Sequence, residues 1–412
     1  MEASFAIVVV GYNRIDSMLR TIDSVNRACY GEDKVDLIIS LDNCGNDSVV
    51  KATDSVEWNH GEKIVRHFVD RQGLKKHILS CGDYLNNYRA IAVLEDDIIV
   101  APGFYYYMKS AVSFYENDDN IAGISLYGFE WNPIGNAPFA PMKSRKDNYF
   151  INFAQSWGQI WMKKQWDEFK EWYLKNEDVF EKEYDGLIPK SVYGWSNKSW
   201  LKYHIRYCAE KKKYFVYPYD SLSTNAGEIG EHYAEHMTRY QVSLQHDIVS
   251  EYNFVAFNDD DAIKYDAFFE NESIARFLAN HEVSDYDADG HGVDDYSNII
   301  EANESEIEID FYGLKSNFTG KKYLLTTQLL DKKIVKKFGL SMRPQEDNIF
   351  FDIPGNEIFL YDLGSEESNK KKKSKQIYDM WNYYSHEKFV LLNEAIPVAR
   401  RKFANLIRSL KK

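Results

Sequence analysis

A run of three acidic residues, Glu95–Asp97, lies between two apolar segments of the sequence. Three anions in such a position repel one another and lose hydration unless a cation or hydrogen-bond donors compensate them. A divalent metal held by carboxylate oxygens is the simplest compensation. The alternative is structural, because acids also cap the N-termini of helices and the sequence predicts a helix from about Phe104. Motifs elsewhere in the chain favour the metal.

The first hundred residues alternate apolar runs with helical patterns, which predicts an α/β fold with a mostly parallel sheet and helices on both faces. The predicted strands are 5–10, 35–41, 63–68 and 90–94, and the predicted helices are 15–29, 48–56 and 74–88. Ligands of such folds bind at the carboxyl ends of the strands. Three strand ends carry polar residues, at 11–14, 42–45 and 95–97. We therefore expect these segments to converge on one site.

The acids at the end of the fourth strand fit a nucleotide diphosphate that is chelated by Mg²⁺ or Mn²⁺. Asp97 is best placed to reach the metal, and Asp96 to reach the ribose or the sugar. Asp42 can accept a hydrogen bond from a nucleobase or a ribose. A β-turn is the competing interpretation of Asp42, because residues 42–45 are turn formers.

Length and charge limit the classes of protein to consider. The chain has 412 residues, enough for more than one domain, and a formal net charge of -14, which argues against a general nucleic-acid-binding protein. The four cysteines are scattered without metal-ligand or redox spacing, which predicts reduced thiols in a cytoplasmic protein. The first apolar run, residues 5–10, lacks a basic leader and is too short for a signal peptide or a membrane span.

Changes in composition along the chain predict four segments. Residues 1–245 form the α/β domain, and residues 246–363 form a smaller α+β module with acidic stretches. Residues 364–376 are a Lys-rich linker, and residues 377–412 are a basic, amphipathic helical tail. Such a tail suits peripheral contact with the inner face of the cell membrane, and packing onto the protein or a partner is the alternative.

Several spaced motifs occur in the order in which GT-A-fold glycosyltransferases have them. They are Val8–Arg14, Ile39–Asp42, Val93–Pro102 with Phe104, Ser156–Trp161, Tyr217–Leu222, Asn225–Gly227 and His232. Over residues 5–235 the chain resembles this family, and especially the N-acetylglucosaminyltransferase I group and bacterial capsular or exopolysaccharide glycosyltransferases. The resemblance implies a GT-A, Rossmann-like fold and transfer of a sugar, with inversion, from a nucleotide diphosphate that is expected to be UDP.

The resemblance also implies roles for individual residues. On the donor side, Asp97 binds the metal, Glu95 and Asp96 contact the ribose and the donor sugar, Asp42 lies near the nucleobase, Arg14 lies near the nucleotide, and Lys75 and Lys76 face the diphosphate. On the acceptor side lie Trp157, Gly158 and Trp195. His232 is an additional metal or phosphate contact, and a solvated or hydrogen-bonded loop histidine is the alternative.

The chain departs from the family pattern at the catalytic base. Inverting transfer needs a carboxylate that deprotonates the acceptor hydroxyl as it attacks the anomeric carbon. In the eukaryotic relatives an acidic pair lies between two tryptophans, whereas Trp195 and Trp200 enclose residues 196–199, which include no acid. By location, Asp185 and Glu228 are the substitutes, although either can be a turn residue.

An acidic segment, Asp285–Asp295, has the alternating acids and the glycine of a calcium-binding loop. Tyr296 stands where an EF-hand has a glutamate, so an acidic, solvated loop is the alternative to a Ca²⁺ site.

We interpret the chain as a glycosyltransferase that uses Mn²⁺ or Mg²⁺ and acts on a glycan or lipid-linked glycan in bacterial polysaccharide or capsule biosynthesis. Its expected partners are a nucleotide-sugar donor and that acceptor, without nucleic acid. One alternative is a catalytically inactive sugar-nucleotide-binding or scaffold protein, which the missing acid near Trp195 favours. The other is a sugar nucleotidyltransferase, which normally has a Gly-rich phosphate loop near its N-terminus, where Gly11–Arg14 supplies one glycine.

Overall fold

The computed structural model describes residues 4–228, 239–280, 285–286, 292–293 and 302–367. These residues form two units. The first takes residues up to Ser273 together with Leu314–Phe318, and the second takes the described parts of 274–313 and the residues from Thr319 onward. The sequence places this boundary after residue 245, and the structure extends the first unit beyond it. The reason is a two-residue strand, Lys264–Tyr265, which pairs with the large sheet.

In the first unit the strands are β1 (Phe5–Gly11), β2 (Val35–Leu41), β3 (Lys63–His67), β4 (Ala90–Glu95), β5 (Ile98–Val100), β6 (Ile121–Ser125), β7 (Trp131–Asn132), β8 (Ala137–Pro138), β9 (Asn148–Ile151), β10 (Gln159–Met162), β11 (Tyr214–Pro218), β12 (Ser223–Asn225) and β13 (Lys264–Tyr265). The helices are α1 (Ile15–Asn26), α2 (Ser48–Asp54), α3 (Leu74–Cys81), α4 (Phe104–Tyr115), α5 (Lys163–Lys175), α6 (Lys190–Tyr193) and α7 (Leu201–Lys211). Short 3-10 helices are found at Gly82–Asn86 and Val179–Glu181.

Nine of these strands form one sheet within the described residues, in the order β13-β9-β11-β6-β10-β4-β1-β2-β3. The four strands β4, β1, β2 and β3 are parallel to one another. β10 runs antiparallel to both of its neighbours, β4 and β6. The predicted fold class, α/β with a mostly parallel sheet flanked by helices, is confirmed.

The strand β1 is buried along its whole length because helices cover both faces of the sheet. Ile7 and Val9 belong to the core that α1 and α4 complete, whereas Val8 and Val10 belong to the core that α3, α5 and α7 complete. Strands that are buried on both faces read as continuous apolar runs rather than alternating ones. This burial explains why the first and fourth predicted strands are continuous apolar segments that end abruptly in polar residues.

The second unit contains α8 (Ser273–Asn280), which begins at the boundary, and α9 (Asp347–Phe350). Its strands are β14 (Asp285–Tyr286), β15 (Gly292–Val293), β16 (Ile307–Asp310), β17 (Tyr323–Thr326), β18 (Lys333–Phe338) and β19 (Ile358–Asp362), and a 3-10 helix spans Glu304–Glu306. Within the described residues, four strands form a sheet in the order β16-β17-β19-β18. Leu278, Phe311, Ile349 and Leu360 are buried in its core.

Several predictions fall on residues outside the described ranges. They are the helical tail 377–412, the linker from residue 368 onward, the candidate ligand His232, and the candidate calcium loop 285–295 apart from β14 and β15. In the part of the chain that is described, no helix has the length and apolar character needed to cross a membrane. The cytoplasmic location and the peripheral membrane contact stay predictions.

Candidate active site

The carboxyl ends of β1, β2 and β4 lie side by side, as the sequence predicts. In the parallel register, Val10 lies opposite Glu95 and Gly11 lies opposite Leu41. The amide of Asp42 donates to the carbonyl oxygen of Gly11 at 3.0 Å, which ties the second strand end to the first. The three polar segments therefore meet at one edge of the sheet, where α/β folds bind ligands.

Arg14 follows the end of β1, and its guanidinium contacts two of the three acids. Nε donates to Asp96 Oδ2 at 3.3 Å, and Nη2 donates to Asp96 Oδ1 and, at 3.1 Å, to Asp97 Oδ2. One cation thus bridges two adjacent carboxylates that lie more than 80 residues away in the sequence. The sequence predicts all three residues on the donor side, and the structure brings them into direct contact.

Burial shapes the protonation of this cluster. Burial, together with the negative charges of Asp97 and Asp96, raises the pKa of Glu95 to about 8. Burial also raises the pKa of Asp96 to about 6, although Arg14 opposes this shift. Burial lowers the pKa of Arg14, but the two aspartates raise it more, so that its pKa is raised overall. Burial therefore disfavours the charged forms of Glu95 and Asp96, whereas the two aspartates favour the charged form of Arg14.

Whether the cluster can bind a metal ion depends on the ligand atoms that it offers. Within the described residues, no three His, Cys, Asp or Glu side chains are arranged to hold a metal ion. Asp96 and Asp97 do present carboxylate oxygens to the same guanidinium. Hard divalent cations take oxygen ligands and are often held by one or two carboxylates plus substrate phosphates. The pair fits Mn²⁺ or Mg²⁺ provided that a bound diphosphate supplies further ligands.

Asp42 is buried and accepts three backbone hydrogen bonds. Oδ1 accepts from the amides of Asn43 at 2.9 Å and Gln72 at 2.7 Å, and Oδ2 accepts from the amide of Gly73 at 2.9 Å. The bond to Asn43 is local, and the other two fix the segment between β3 and α3. The nucleobase contact predicted for Asp42 stays a prediction.

Tyr12 and Arg71 stack at the same edge of the sheet, and sequence reasoning missed this pair. The guanidinium carbon of Arg71 lies 4.8 Å from the centre of the Tyr12 ring. Tyr12 is part of the segment Gly11–Arg14, which gave a signal, whereas nothing in the sequence marks Arg71. Arg71 comes directly before the two residues whose amides bind Asp42. These hydrogen bonds therefore also help to position Arg71 against Tyr12.

The two lysines predicted to face the diphosphate lie in the first turn of α3. The ammonium of Lys75 lies 4.8 Å from the centre of the Tyr203 ring, and Lys76 is exposed. Neither has an ion pair with the acid cluster among the described residues. Their predicted contact with a diphosphate stays a prediction.

The predicted acceptor-side residues Trp157 and Gly158 form a tight turn before β10. Gly158 has φ of +100°, and a side chain there would place its Cβ 2.8 Å from Ser223 Oγ, so the turn requires glycine. The ring of Trp157 is stacked on Tyr240, with ring centres 5.1 Å apart. Ser223 Oγ donates to the carbonyl oxygen of Trp157, which joins the turn to the segment that contains β12.

Trp195 lies at the surface of the first unit, with 37% of its area exposed. The buried Lys202 holds the surrounding loop, because its Nζ donates to the carbonyl oxygen of Trp195 at 2.8 Å and to Asn197 Oδ1 at 2.9 Å. Between Trp195 and Trp200, in place of an acidic pair, the segment therefore has the amide Asn197, which Lys202 binds.

Glu228, one of the two predicted bases, reaches α1 from the segment after β12. Its carboxylate accepts hydrogen bonds from Ser17 and Arg20. Burial raises its pKa, but Ser17, Arg20 and Arg14 lower it more, so that its pKa is lowered overall. Two residues earlier, the amide of Ala226 donates to the carbonyl oxygen of Asp97 at 2.8 Å. The backbone close to Glu228 is therefore bonded to Asp97, but the Glu228 carboxylate is already paired with Ser17 and Arg20.

Asp185, the other predicted base, is bound by Arg206 of α7. Nη1 and Nη2 of Arg206 donate to the two carboxylate oxygens, each at 2.7 Å, and Oδ1 also accepts from the amide of Leu187 at 3.1 Å. The hydrogen bonds from Arg206 lower the pKa of Asp185. This geometry is that of a structural ion pair.

Comparison with known proteins bears on the assignment at this point. Residues 1–176 match the model of the GNT-I family. The predicted resemblance is confirmed. A curated relative, alpha-1,3-mannosyl-glycoprotein 2-beta-N-acetylglucosaminyltransferase of Arabidopsis thaliana, is 27% identical over 197 residues, which cover 40% of this chain and 41% of the relative. These findings agree with the predicted enzyme class. Because the chain spans less than half of that relative, its own activity and substrates are proposals.

Two solved structures match part of this chain at low similarity. TarS 1–349 of S. aureus in complex with UDP-GlcNAc has a TM-score of 0.34 and 12% identity, over 56% of this chain and 60% of that one. The mannosyltransferase PcManGT of Pyrobaculum calidifontis, in complex with GDP-Man and Mn²⁺, has a TM-score of 0.29 and 11% identity, over 40% and 46% of the two chains. At these scores neither structure carries an argument about this chain.

The GNT-I match divides the candidate residues into two groups. Its span contains the donor-side residues and the first acceptor-side turn, namely Arg14, Asp42, Lys75, Lys76, Glu95, Asp96, Asp97, Trp157 and Gly158. Asp185, Trp195 and Glu228 lie beyond it. The GNT-I similarity therefore covers the acid cluster and leaves out both predicted bases.

Proposed function

We propose that this chain transfers a sugar from a nucleotide diphosphate, most simply a UDP-sugar, to a glycan or lipid-linked glycan in polysaccharide biosynthesis. The observation that carries the proposal is the cluster of Arg14, Asp96 and Asp97 at the ends of β1 and β4, within the GNT-I match. It combines two carboxylates with a guanidinium at the edge of the sheet where nucleotides bind in α/β folds.

The donor binds at this edge in the proposed mechanism. Asp96 and Asp97 would hold a divalent cation, Mn²⁺ or Mg²⁺, and that cation would supply positive charge against the diphosphate leaving group. Arg14 adds positive charge beside the phosphates. The stack of Tyr12 and Arg71 borders the same edge, and Asp42 fixes the backbone that carries Arg71.

The acceptor hydroxyl must lose its proton as it attacks the anomeric carbon. Of the two predicted bases, we propose Glu228, because the backbone two residues before it is bonded to Asp97. A carboxylate paired with Arg20 and Ser17 is a weak base, so Glu228 has to exchange those hydrogen bonds for one from the acceptor. Trp157, Gly158 and Trp195 are the proposed acceptor side.

A second candidate function is nucleotide-sugar binding without transfer. The observation that favours it is that both predicted bases are engaged by arginines, which lowers the pKa of each carboxyl. Both functions need the donor half of the site, so only turnover separates them.

The test is a screen of the purified protein against UDP- and GDP-linked sugars, with release of the free nucleotide as the signal and Mn²⁺ or EDTA present. We expect Mn²⁺-dependent hydrolysis of one donor, and a loss of about 100-fold or more in Asp97→Asn, since removing a charge-stabilising group from an active site has effects of that size. The matched control is Asp119→Asn, because Asp119 is an exposed carboxylate that pairs with Lys164.

The same screen separates the candidates. A protein that binds UDP but hydrolyses no donor under any condition is the binding protein of the second candidate. If no nucleotide sugar is bound or hydrolysed, both functions fail. Equal activity of Asp97→Asn and the wild type would remove the acid cluster from the proposed mechanism.

A further inference from the structure

Arg14 contacts Asp96 and Asp97 through its side chain alone. It lies at the N-cap of α1 with a non-helical backbone, and its side chain is 28% exposed. The α1 backbone is held independently, since the amide of Met18 donates to the carbonyl oxygen of Arg14 at 3.0 Å. A rotation of the Arg14 side chain toward solvent therefore leaves both the helix and the core intact.

The backbones of the two acids are held by other elements. The carbonyl oxygen of Asp96 accepts from Thr21 Oγ1 at 3.0 Å, and that of Asp97 accepts from the amide of Ala226 at 2.8 Å. Thr21 is on α1, and Ala226 follows β12, which pairs with β5 just after the acids. Asp96 and Asp97 thus keep their backbone positions whether or not Arg14 contacts them.

The charges of the cluster do not balance. One guanidinium serves the carboxylates of both Asp96 and Asp97. A divalent cation near the same oxygens supplies twice the positive charge and repels the guanidinium. A diphosphate bound to that cation offers Arg14 a new anionic partner with the bidentate geometry that arginine favours.

We propose that Arg14 is the internal counter-ion of Asp96 and Asp97, and that it leaves both carboxylates for the diphosphate of the donor when a divalent cation binds. This inference rests on the proposed function. Arg14 acts as a positioning residue that holds the acids together in the metal-free protein. The exchange links metal binding to nucleotide binding, because the guanidinium becomes available to phosphate only after it has left the acids.

The first test measures binding of Mn²⁺ alone, by titration calorimetry or from the electron paramagnetic resonance signal of free Mn²⁺. We expect Arg14→Met to bind Mn²⁺ about tenfold more tightly than the wild type, because the ion no longer displaces charge-assisted hydrogen bonds. Arg14→Lys should fall between the two, since an ammonium lacks the planar fork that bridges both acids.

The matched control is Arg89→Met. Arg89 precedes β4 at the opposite end of the strand and makes a bidentate pair with Glu116, at 2.7 and 2.6 Å. Its Mn²⁺ affinity should equal that of the wild type. If Arg14 merely stabilises the site, Arg14→Met will bind Mn²⁺ more weakly or equally, and the proposal is overturned. Should Arg14→Met fail to fold, Arg14→Lys is compared with Arg89→Lys on the same terms.

The second test measures UDP binding with and without Mn²⁺. In the wild type, Mn²⁺ should tighten UDP binding about tenfold more than it does in Arg14→Met, because the variant has no guanidinium to release. Equal effects in the two proteins would overturn the exchange. If the wild type hydrolyses a donor in EDTA and binds no Mn²⁺, the exchange is overturned while sugar transfer stands. If it binds Mn²⁺ with the expected variant effect but hydrolyses nothing, transfer fails and the exchange stands.

Discussion

Asp96 and Asp185 are both bound by an arginine in the first unit, yet the pKa values of the two carboxyls shift in opposite directions. The Asp96 side chain is 9% exposed, and its burial raises the pKa to about 6 against the attraction of Arg14. The Asp185 side chain is 48% exposed, and its hydrogen bonds with Arg206 lower its pKa. A contact with arginine alone therefore does not determine whether the pKa of a carboxyl is raised or lowered.

The difference lies in the balance of charges. At Asp185 each carboxylate oxygen has its own N–H donor, and the nearby Glu210 faces Lys211 as well as Arg206. At Asp96 a single guanidinium is shared with Asp97, in a more buried setting. Buried carboxylates whose charge is only partly compensated are typical of functional sites, whereas fully paired carboxylates are typical of structural ion pairs. The comparison therefore supports the proposed functional role of Asp96 and Asp97 and a structural role for Asp185.

Activity should separate the two aspartates most strongly. We expect Asp96→Asn to lower metal-dependent donor hydrolysis by about 100-fold or more, because a buried carboxylate of the donor site loses its charge. Asp185→Asn should stay within about threefold of the wild type, since an exposed, paired group has little to lose. Rates of nucleotide release at saturating donor check both. A large loss in Asp185→Asn would instead make Asp185 the acceptor base and break the comparison.

Stability should show the reverse order with a smaller effect. At neutral pH and without metal, Asp96→Asn should raise the free energy of unfolding by about 1 kcal/mol, because the buried charge and its repulsion are removed. Asp185→Asn should lower it by about 1 kcal/mol, a value discounted for the exposure of Asp185. Urea unfolding of both variants gives the two numbers. Destabilisation by the same amount in both would show that Asp96 is a structural residue as well.

The convergence of the strand ends was predictable, whereas the pairing of side chains was not. The apolar runs of β1, β2 and β4 are buried on both faces, so their polar ends had to emerge at one edge of the sheet. The contact of Arg14 with acids more than 80 residues away depends on rotamers and on register. No local pattern in the sequence encodes such a contact.

Two further features show where local patterns fall short. The sequence allowed Asp42 to be a turn residue or a ligand contact, and its carboxylate binds the amide of the adjacent Asn43 and the distant amides of Gln72 and Gly73. The extension of the first unit to Ser273 depends on β13, which has only two residues and gives no periodic signal. Short strands and loop-to-loop hydrogen bonds are decided by tertiary contacts rather than by propensity.

The smallest expected effect is the pH dependence of the stability that the ion pair between Asp185 and Arg206 contributes. A carboxyl whose pKa is lower in the folded state than its ordinary value of 3.8 stabilises the fold above that value. This stability is lost as the pH falls through the lowered pKa. The difference in unfolding free energy between the wild type and Asp185→Asn should therefore be constant above about pH 5 and shrink below it.

A double-mutant cycle with Arg206→Met shows whether this pH dependence belongs to the pair. In the Arg206→Met background, Asp185 has lost the partner whose hydrogen bonds lower its pKa, so adding Asp185→Asn should produce almost no pH-dependent change. Urea unfolding of the four proteins between pH 7 and the lowest pH at which they remain folded gives the cycle. A difference that grows as the pH falls would mean that Asp185 is buried at a cost, like Asp96, and the contrast between the two arginine contacts would disappear.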